Sequence, residues 1–358
     1  MTPACYQVEK VGRPSILSGA ILRTILIFIK LSFVLSKRLV LPLLAAALLT
    51  AAACGNEDGS ASSAGANVVA TTPQVGEMTR AVAGERARVT QILRSNSDPH
   101  EFEPRPSDAR VLGEADVLVI SGGGIDTFAE DLRKSAGGKA SKVELIDSVH
   151  TIKAGDHPED EHGHEEEGAP ADEVDPHWWQ DPTNAIRAVE AVRAALTRAD
   201  PEGSAAYAGN ARAYSQRLRR LDRAIASCME KVPDTMRKLV TTHDALAYYG
   251  RRYEVEIVGA LIPSLSTQAQ PSGRDIQELV GQIRSDGVQA VFPETALNPR
   301  LERAVSKEAG VKVGAQLWAD TLGPRGSGAE TYLGSLSANT AAMAEGMSGG
   351  KVRCRPRA

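Results

Sequence analysis

Aromatic residues are scarce in this chain, with five Phe, three Trp and seven Tyr among 358 residues. So few large rings cannot fill the interior. The 42% apolar content is enough for two core-bearing lobes, and those cores are expected to be built from Ala, Val and Leu. Cysteine is rarer still, at four. Cys5 and Cys54 fall in the N-terminal stretch, leaving Cys228 and Cys354, too few for a disulfide framework. In an oxidising compartment these two are either bonded or free, and the sequence leaves that open. Beyond Cys54 there are 35 basic against 44 acidic residues, about −9, where the whole chain carries −4. That balance excludes the basic footprint of a nucleic-acid binder. The chain also lacks an HExxH motif and a recognisable Ser or Cys nucleophile setting, which argues against a hydrolase.

What is present begins with a leader. An 11-residue apolar run, "LVLPLLAAALL" (Leu39 to Leu49), follows Lys37-Arg38 and leads into "TAAAC". These are the charged, apolar and small-residue regions of a secretory signal, and eleven residues fall short of the ~20 that a membrane span requires. A Cys directly after three alanines is the pattern of a bacterial lipobox, in which Cys54 is lipidated and heads the mature protein. Ala51 stands where Leu or Val is more usual, and a plain secretory signal is the alternative. A second apolar stretch, Ile16 to Leu35, is interrupted by Arg23 and Lys30; a start near Val34 or Leu35 leaves a conventional signal. Residues 55–66, rich in Gly, Ser and Ala, read as a flexible tether to the folded part.

From Asn67, short β-branched runs alternate with helical patterns: "NVVATT", "RVTQIL", "DVLVIS" and "KVELID". This is the signature of parallel β/α units. A helix-favouring tract follows from Pro182 to Val232, broken at "ADPEGS". The alternation then resumes with "KLVTTH", "EVEIVGALI", "VQAVFPE" and "KVGAQLW". The expected architecture is an α/β fold of two (β/α)4 lobes with parallel four-stranded sheets, residues 67–200 and 234–348. One long helix within 201–233 joins them, and residues 349–358 form a tail.

Ligands of parallel α/β lobes bind at the carboxyl ends of strands, and four strong metal-ligating side chains follow strands here. His100 lies in the Pro-rich loop "SDPHEFEPRPSD" after "RVTQIL". His177, in "DPHWWQDP", precedes a helix opened by Asp181-Pro182 as cap and first-turn proline. His243 ends "KLVTTH", and Asp320, in "LWADTLG", follows "KVGAQLW". Taken singly, a strand-end His more often caps a helix or braces a loop. As a set, three neutral imidazoles and one carboxylate are borderline-soft and suit Zn2+ better than Mg2+ or Ca2+.

The phrases "DPHEFEPRPSD", "DPHWWQDP", "TTHDALAYYGRRYEVEIVGALIPSLSTQAQPS", "FPETALNP" and "WADTLG", in this order, resemble the solute-binding proteins of zinc and manganese ABC transporters (solute-binding protein family 9). The resemblance covers about Asn67 to Met347. It implies two lobes bridged by a backbone helix, with the metal in the interlobe cleft, and it places the four ligands on His100, His177, His243 and Asp320. It further implies a monomeric, non-enzymatic, extracytoplasmic protein, anchored through Cys54 or periplasmic, that captures Zn2+ for an ABC permease and its ATPase. In this family the third position carries metal choice: His there favours zinc and a carboxylate favours manganese, so His243 points to zinc, with Mn2+ the lesser candidate. Asp175 and Glu294 are candidates to orient ligands from behind, or else to act as caps; one of Trp178 and Trp179 roofs the site or belongs to the core.

Three more histidines, His157, His162 and His164, sit in residues 155–175, which carry ten acidic residues and no Lys or Arg. An insertion of this composition occurs at this place in zinc-binding members of the family. It reads either as a weak collector of Zn2+ near the cleft or as a solvated acidic loop. Two other functions share the same site: a surface zinc chaperone or adhesin, and a zinc hydrolase with Asp320 as base.

Overall fold

The protein is described by a computed structural model covering residues 65–154 and 173–358. The leader with Cys54, and His157, His162 and His164, lie outside the described residues. Contacts divide the chain into Met1–Ser62 and Ser63–Ala358, and all described residues belong to the second unit.

Strands β1 (Asn67–Ala70), β2 (Arg88–Gln91), β3 (Val117–Ile120) and β4 (Ser141–Glu144) form a parallel sheet in the order β2-β1-β3-β4. The middle strands are buried on both faces, as parallel strands covered by helices must be. Val68 and Ala70 of β1, with Val117 and Val119 of β3, point into the large central core. Val69, Leu118 and Ile120 face a smaller cluster under α2 (Pro106–Gly113) and α3 (Phe128–Ser135). Helix α1 (Pro73–Ala83) returns over the central face, started by Pro73 and by Thr72, whose hydroxyl accepts from the Val75 N–H.

The second lobe repeats this plan with β5 (Lys238–His243), β6 (Glu256–Ile262), β7 (Ala290–Val291) and β8 (Lys312–Val313). Its sheet is not the regular four-stranded one expected. It consists of two parallel two-stranded ladders, β5-β6 and β7-β8, tied by the Thr241–Phe292 bridge and by the Phe292 N–H donating to the Val240 carbonyl. Pro293, directly after Phe292, has no N–H to continue the ladder. Pairing resumes one residue later with the Glu294–Leu317 bridge. Helices α6 (Ala247–Tyr253), α7 (Gly273–Ser285), α8 (Arg300–Ala309) and α9 (Tyr332–Met347) complete this lobe.

Between the lobes run α4 (Pro182–Ala199) and the 26-residue α5 (Ser204–Met229). At ~1.5 Å per residue α5 is about 39 Å long. Its buried stripe, Tyr207, Ala211, Tyr214, Leu218, Leu221, Ile225 and Met229, keeps helical spacing along the full length. It packs against α1, α4 and α9, elements of both lobes. The scarce aromatics concentrate here: Tyr207, Tyr214, Tyr248, Tyr249, Tyr253 and Tyr332 all belong to the central core, while Ala, Val and Leu supply most of the rest. Cys228 at the end of α5 and Cys354 of the tail form a disulfide with Cα atoms 5.9 Å apart. Among the described residues no helix is long and apolar enough to cross a membrane.

Candidate metal centre

Each of the four candidate ligands sits at the carboxyl end of a strand or at a helix start. His243 is the last residue of β5 and His100 lies in the loop after β2. Asp320 follows the Leu317 bridge. His177 opens a short 3-10 turn, Trp178–Gln180, just ahead of α4. Asp181 fixes that junction by accepting the Thr183 N–H at 2.7 Å, with Pro182 at the first helical position.

The structure brings all four side chains together. Asp320 Oδ2 lies 3.1 Å from His100 Nε2 and 3.0 Å from His243 Nε2, and Oδ1 lies 3.4 Å from His177 Nε2. One ligand atom from each residue fits within 4.8 Å of all the others. His177 and His243 are wholly buried, and His100 and Asp320 nearly so. His177 Nε2, His243 Nε2 and Asp320 Oδ1 are buried without a hydrogen-bond partner. Buried polar atoms are rarely left that way, and here they converge on one point.

The far sides of two imidazoles are held by carboxylates. Asp175 Oδ1 accepts the His177 backbone N–H at 2.8 Å and lies 2.7 Å from its Nδ1. Glu294 Oε1 accepts the His243 N–H at 2.9 Å, and Oε2 lies 2.8 Å from Nδ1. An ionised carboxylate only accepts, so each neutral ring carries its proton on Nδ1 and turns the Nε2 lone pair to the centre. Glu294 is braced in turn: its N–H donates to Thr242 Oγ1 at 3.1 Å, and the Thr242 hydroxyl donates to the buried Glu302 at 2.6 Å.

Electrostatics follow from this crowding. Burial pushes the His243 imidazole down, but Glu294 and Asp320 outweigh it and hold the ring well above its ordinary value. His177 is raised in the same way, against burial, by Asp320 and Asp175. Burial would raise Asp320, yet the imidazoles around it hold its carboxyl well below the usual range. Asp175, deep in the protein, is raised by desolvation. Ionised Asp320 thus faces rings that retain protons until something more positive replaces them.

Trp179 packs edge-on against His177 with ring centroids 5.4 Å apart, and its indole N–H donates to the Ala319 carbonyl at 2.9 Å. Trp178 is core, its N–H donating to Ser121 at 3.1 Å. Sequence reasoning missed Asp98, Thr267 and Gln268, which hold the His100 segment, and the Thr242–Glu302 pair behind Glu294. For Asp98 a signal existed: Asp98-Pro99-His100 repeats the Asp-Pro-His order of residues 175–177.

Two α/β lobes closing on a buried cluster of three imidazoles and a carboxylate define a metal-binding protein of the two-lobed kind. The sequence profile of ZnuA, zinc-uptake complex component A periplasmic, matches residues 68–346, and the chain belongs to that family. It is similar to the manganese-binding lipoprotein MntA of Halalkalibacterium halodurans, 32% identical over 302 residues, 84% of this chain and 95% of that protein. The metal ABC transporter substrate-binding lipoprotein SsaB of Streptococcus sanguinis is 27% identical, over 86% and 97% of the two chains. Among solved structures, the periplasmic zinc binding protein TroA from Treponema pallidum matches with a TM-score of 0.70 at 24% identity, over 79% of this chain and 99% of that one. A Mn-bound periplasmic metal binding protein from candidatus liberibacter asiaticus gives 0.69 at 22%, over 79% and 99%. At these identities the structural likenesses speak for the fold.

Proposed function

We propose that this protein captures Zn2+ outside the cytoplasmic membrane, held there through lipidated Cys54, and delivers it to the permease and ATPase of an ABC transporter. The observation that carries this reading is the convergence of partnerless Nε2 atoms of His177 and His243 on Asp320, beside His100. A tetrahedron with metal–ligand bonds of ~2.0 Å has edges of about 3.3 Å. Asp320 Oδ2 stands 3.0 Å from His243 Nε2 and 3.1 Å from His100 Nε2, close to that edge, while the other oxygen, Oδ1, lies 3.4 Å from His177 Nε2. Three imidazoles with one carboxylate favour zinc over the oxygen-seeking Mn2+, although similar lipoproteins bear manganese in their names. Four protein donors leave no coordination position for an activated water, which suits capture and release rather than catalysis. His157, His162 and His164 supply weak accessory sites that collect zinc for the centre.

The test is elemental analysis of untagged protein from cells supplied with both metals, followed by chelator competition. Zinc near one per chain, retained against an equal concentration of Mn2+, supports the reading; manganese occupancy under those conditions overturns it. Calorimetry on a deletion of residues 156–167 should lose only weak additional sites, and unchanged stoichiometry and loading rate would remove the collector role.

A further inference from the structure

Two Asp-Pro-His turns supply ligands to this centre, and they are used differently. In both, the Asp side chain accepts the His backbone N–H two residues on, at 2.9 Å for Asp98 and 2.8 Å for Asp175. Asp175 spends the rest of its reach on its own histidine, lying 2.7 Å from His177 Nδ1. Asp98 instead turns its second oxygen outward, where it accepts the hydroxyl of Thr267 at 2.7 Å, from the other lobe. Beside it Gln268 Nε2 donates to the His100 carbonyl at 2.5 Å, again across the lobes. Both backbone polar groups of His100 are therefore held, directly or through Asp98, by the segment after β6. That segment is itself pinned next to His243, because the Asp244 N–H donates to the Ser264 carbonyl at 3.1 Å.

His177 and His243 each have a carboxylate behind the ring, and both are wholly buried. Among the described residues none is bonded to His100 Nδ1; the ring's polar contact is to Asp320 through Nε2, and it otherwise faces the rings of His177 and His243. His100 is the least buried residue of the four, although its side chain, at 8%, is no more exposed than that of Asp320. It is held by its backbone, at the solvent edge, by contacts that exist only while the two loops meet.

We propose that Asp98, Thr267 and Gln268 form an interlobe clasp that positions His100 on the metal, so that opening the clasp lifts this ligand away and sets the rate of metal release. The proposal rests on the reading of the centre as a metal-capture site. His177, His243 and Asp320 are expected to keep their arrangement when the clasp opens, leaving a three-ligand site from which the cation escapes toward a receiver. Asp98, Thr267 and Gln268 are positioning residues; none of them is assigned contact with the metal.

The test uses the purified chain loaded with Zn2+ and chased with excess chelator in a stopped-flow instrument. Thr267→Val removes the hydroxyl at nearly constant volume, and Gln268→Ala removes the second tie. The double variant should release zinc about tenfold faster or more, the scale at which outer contacts tune metal sites, with association changed less than about twofold. Thr267→Ser should restore the parent rate, and the Co2+ absorption spectrum should be the same in all forms because the ligand set is intact. Release accelerated by less than about tenfold, or a loss of affinity carried by association alone, overturns the clasp. A parent chain that holds no zinc would instead overturn the capture reading, so the two failures are distinguishable.

Discussion

Glu294 grips His243 twice, accepting its backbone N–H at 2.9 Å and lying 2.8 Å from Nδ1, although 51 residues separate them in the chain. One carboxylate thus fixes both the position of the ligand's backbone and the tautomer of its ring. Glu294→Ala should leave the fold intact but free the imidazole to rotate and to carry its proton on either nitrogen. Zinc affinity is expected to fall ~10–100-fold. Competition with a chromophoric chelator measures it, and an affinity within twofold of the parent's would remove Glu294 from the centre.

The pH dependence of binding has a definite sign. The metal takes neutral imidazole, so bound protons compete with it. In the metal-free centre the carboxylates outweigh burial and raise His177, and raise His243 well above its ordinary value. Raised imidazoles keep their protons to higher pH, so affinity is expected to decline on acidification beginning above the usual imidazole range of ~6.5. Binding at neutral pH should release protons. Titrations in two buffers of different ionisation enthalpy give the number, and zero release at neutral pH would contradict the electrostatics described.

The disulfide gives a prediction about stability alone. Cys228 and Cys354 join positions 126 residues apart, at the end of α5, and neither belongs to the residues that form or brace the centre. The Cys228→Ser, Cys354→Ser variant should be less stable by about 2–4 kcal/mol, seen as a lower denaturation midpoint. Its zinc affinity should match the parent's. A loss of affinity would show that the tail is coupled to the centre.

Much of this was legible in the sequence for a physical reason. Parallel strands buried on both faces are continuous apolar runs, so "DVLVIS" and "KLVTTH" announce β3 and β5. Ligands at strand ends then appear directly after such runs, as His243 does. What was not legible lacks a local pattern. The Asp98–Thr267 bond joins residues 169 apart, and nothing near either residue marks it. Glu302 reads as an ordinary surface position of an amphipathic helix, yet it is buried and accepts the Thr242 hydroxyl. The irregular second sheet did have a marker, Pro293 inside the run "VQAVFPE", but that run reads as one strand by its apolar content, whereas the regular ladder covers only Ala290–Val291.

Metal choice offers the sharpest prediction, because one residue can be changed while the rest of the centre stands. His243 contributes one of three imidazoles, and its Nε2 lies 3.0 Å from Asp320 Oδ2. His243→Glu makes the set two imidazoles and two carboxylates, harder and more accommodating of Mn2+, which favours oxygen donors. The new carboxylate also faces Glu294 and Asp320, and that like-charge crowding raises the demand for a dication. Zinc affinity should therefore fall while manganese affinity is kept or gained, lowering the ratio of the two by at least about tenfold. His243→Ala should weaken both metals, since it removes a donor without replacement. Paired competition titrations with the two metals decide the matter: an unchanged ratio in His243→Glu would show that the third imidazole does not govern selectivity here.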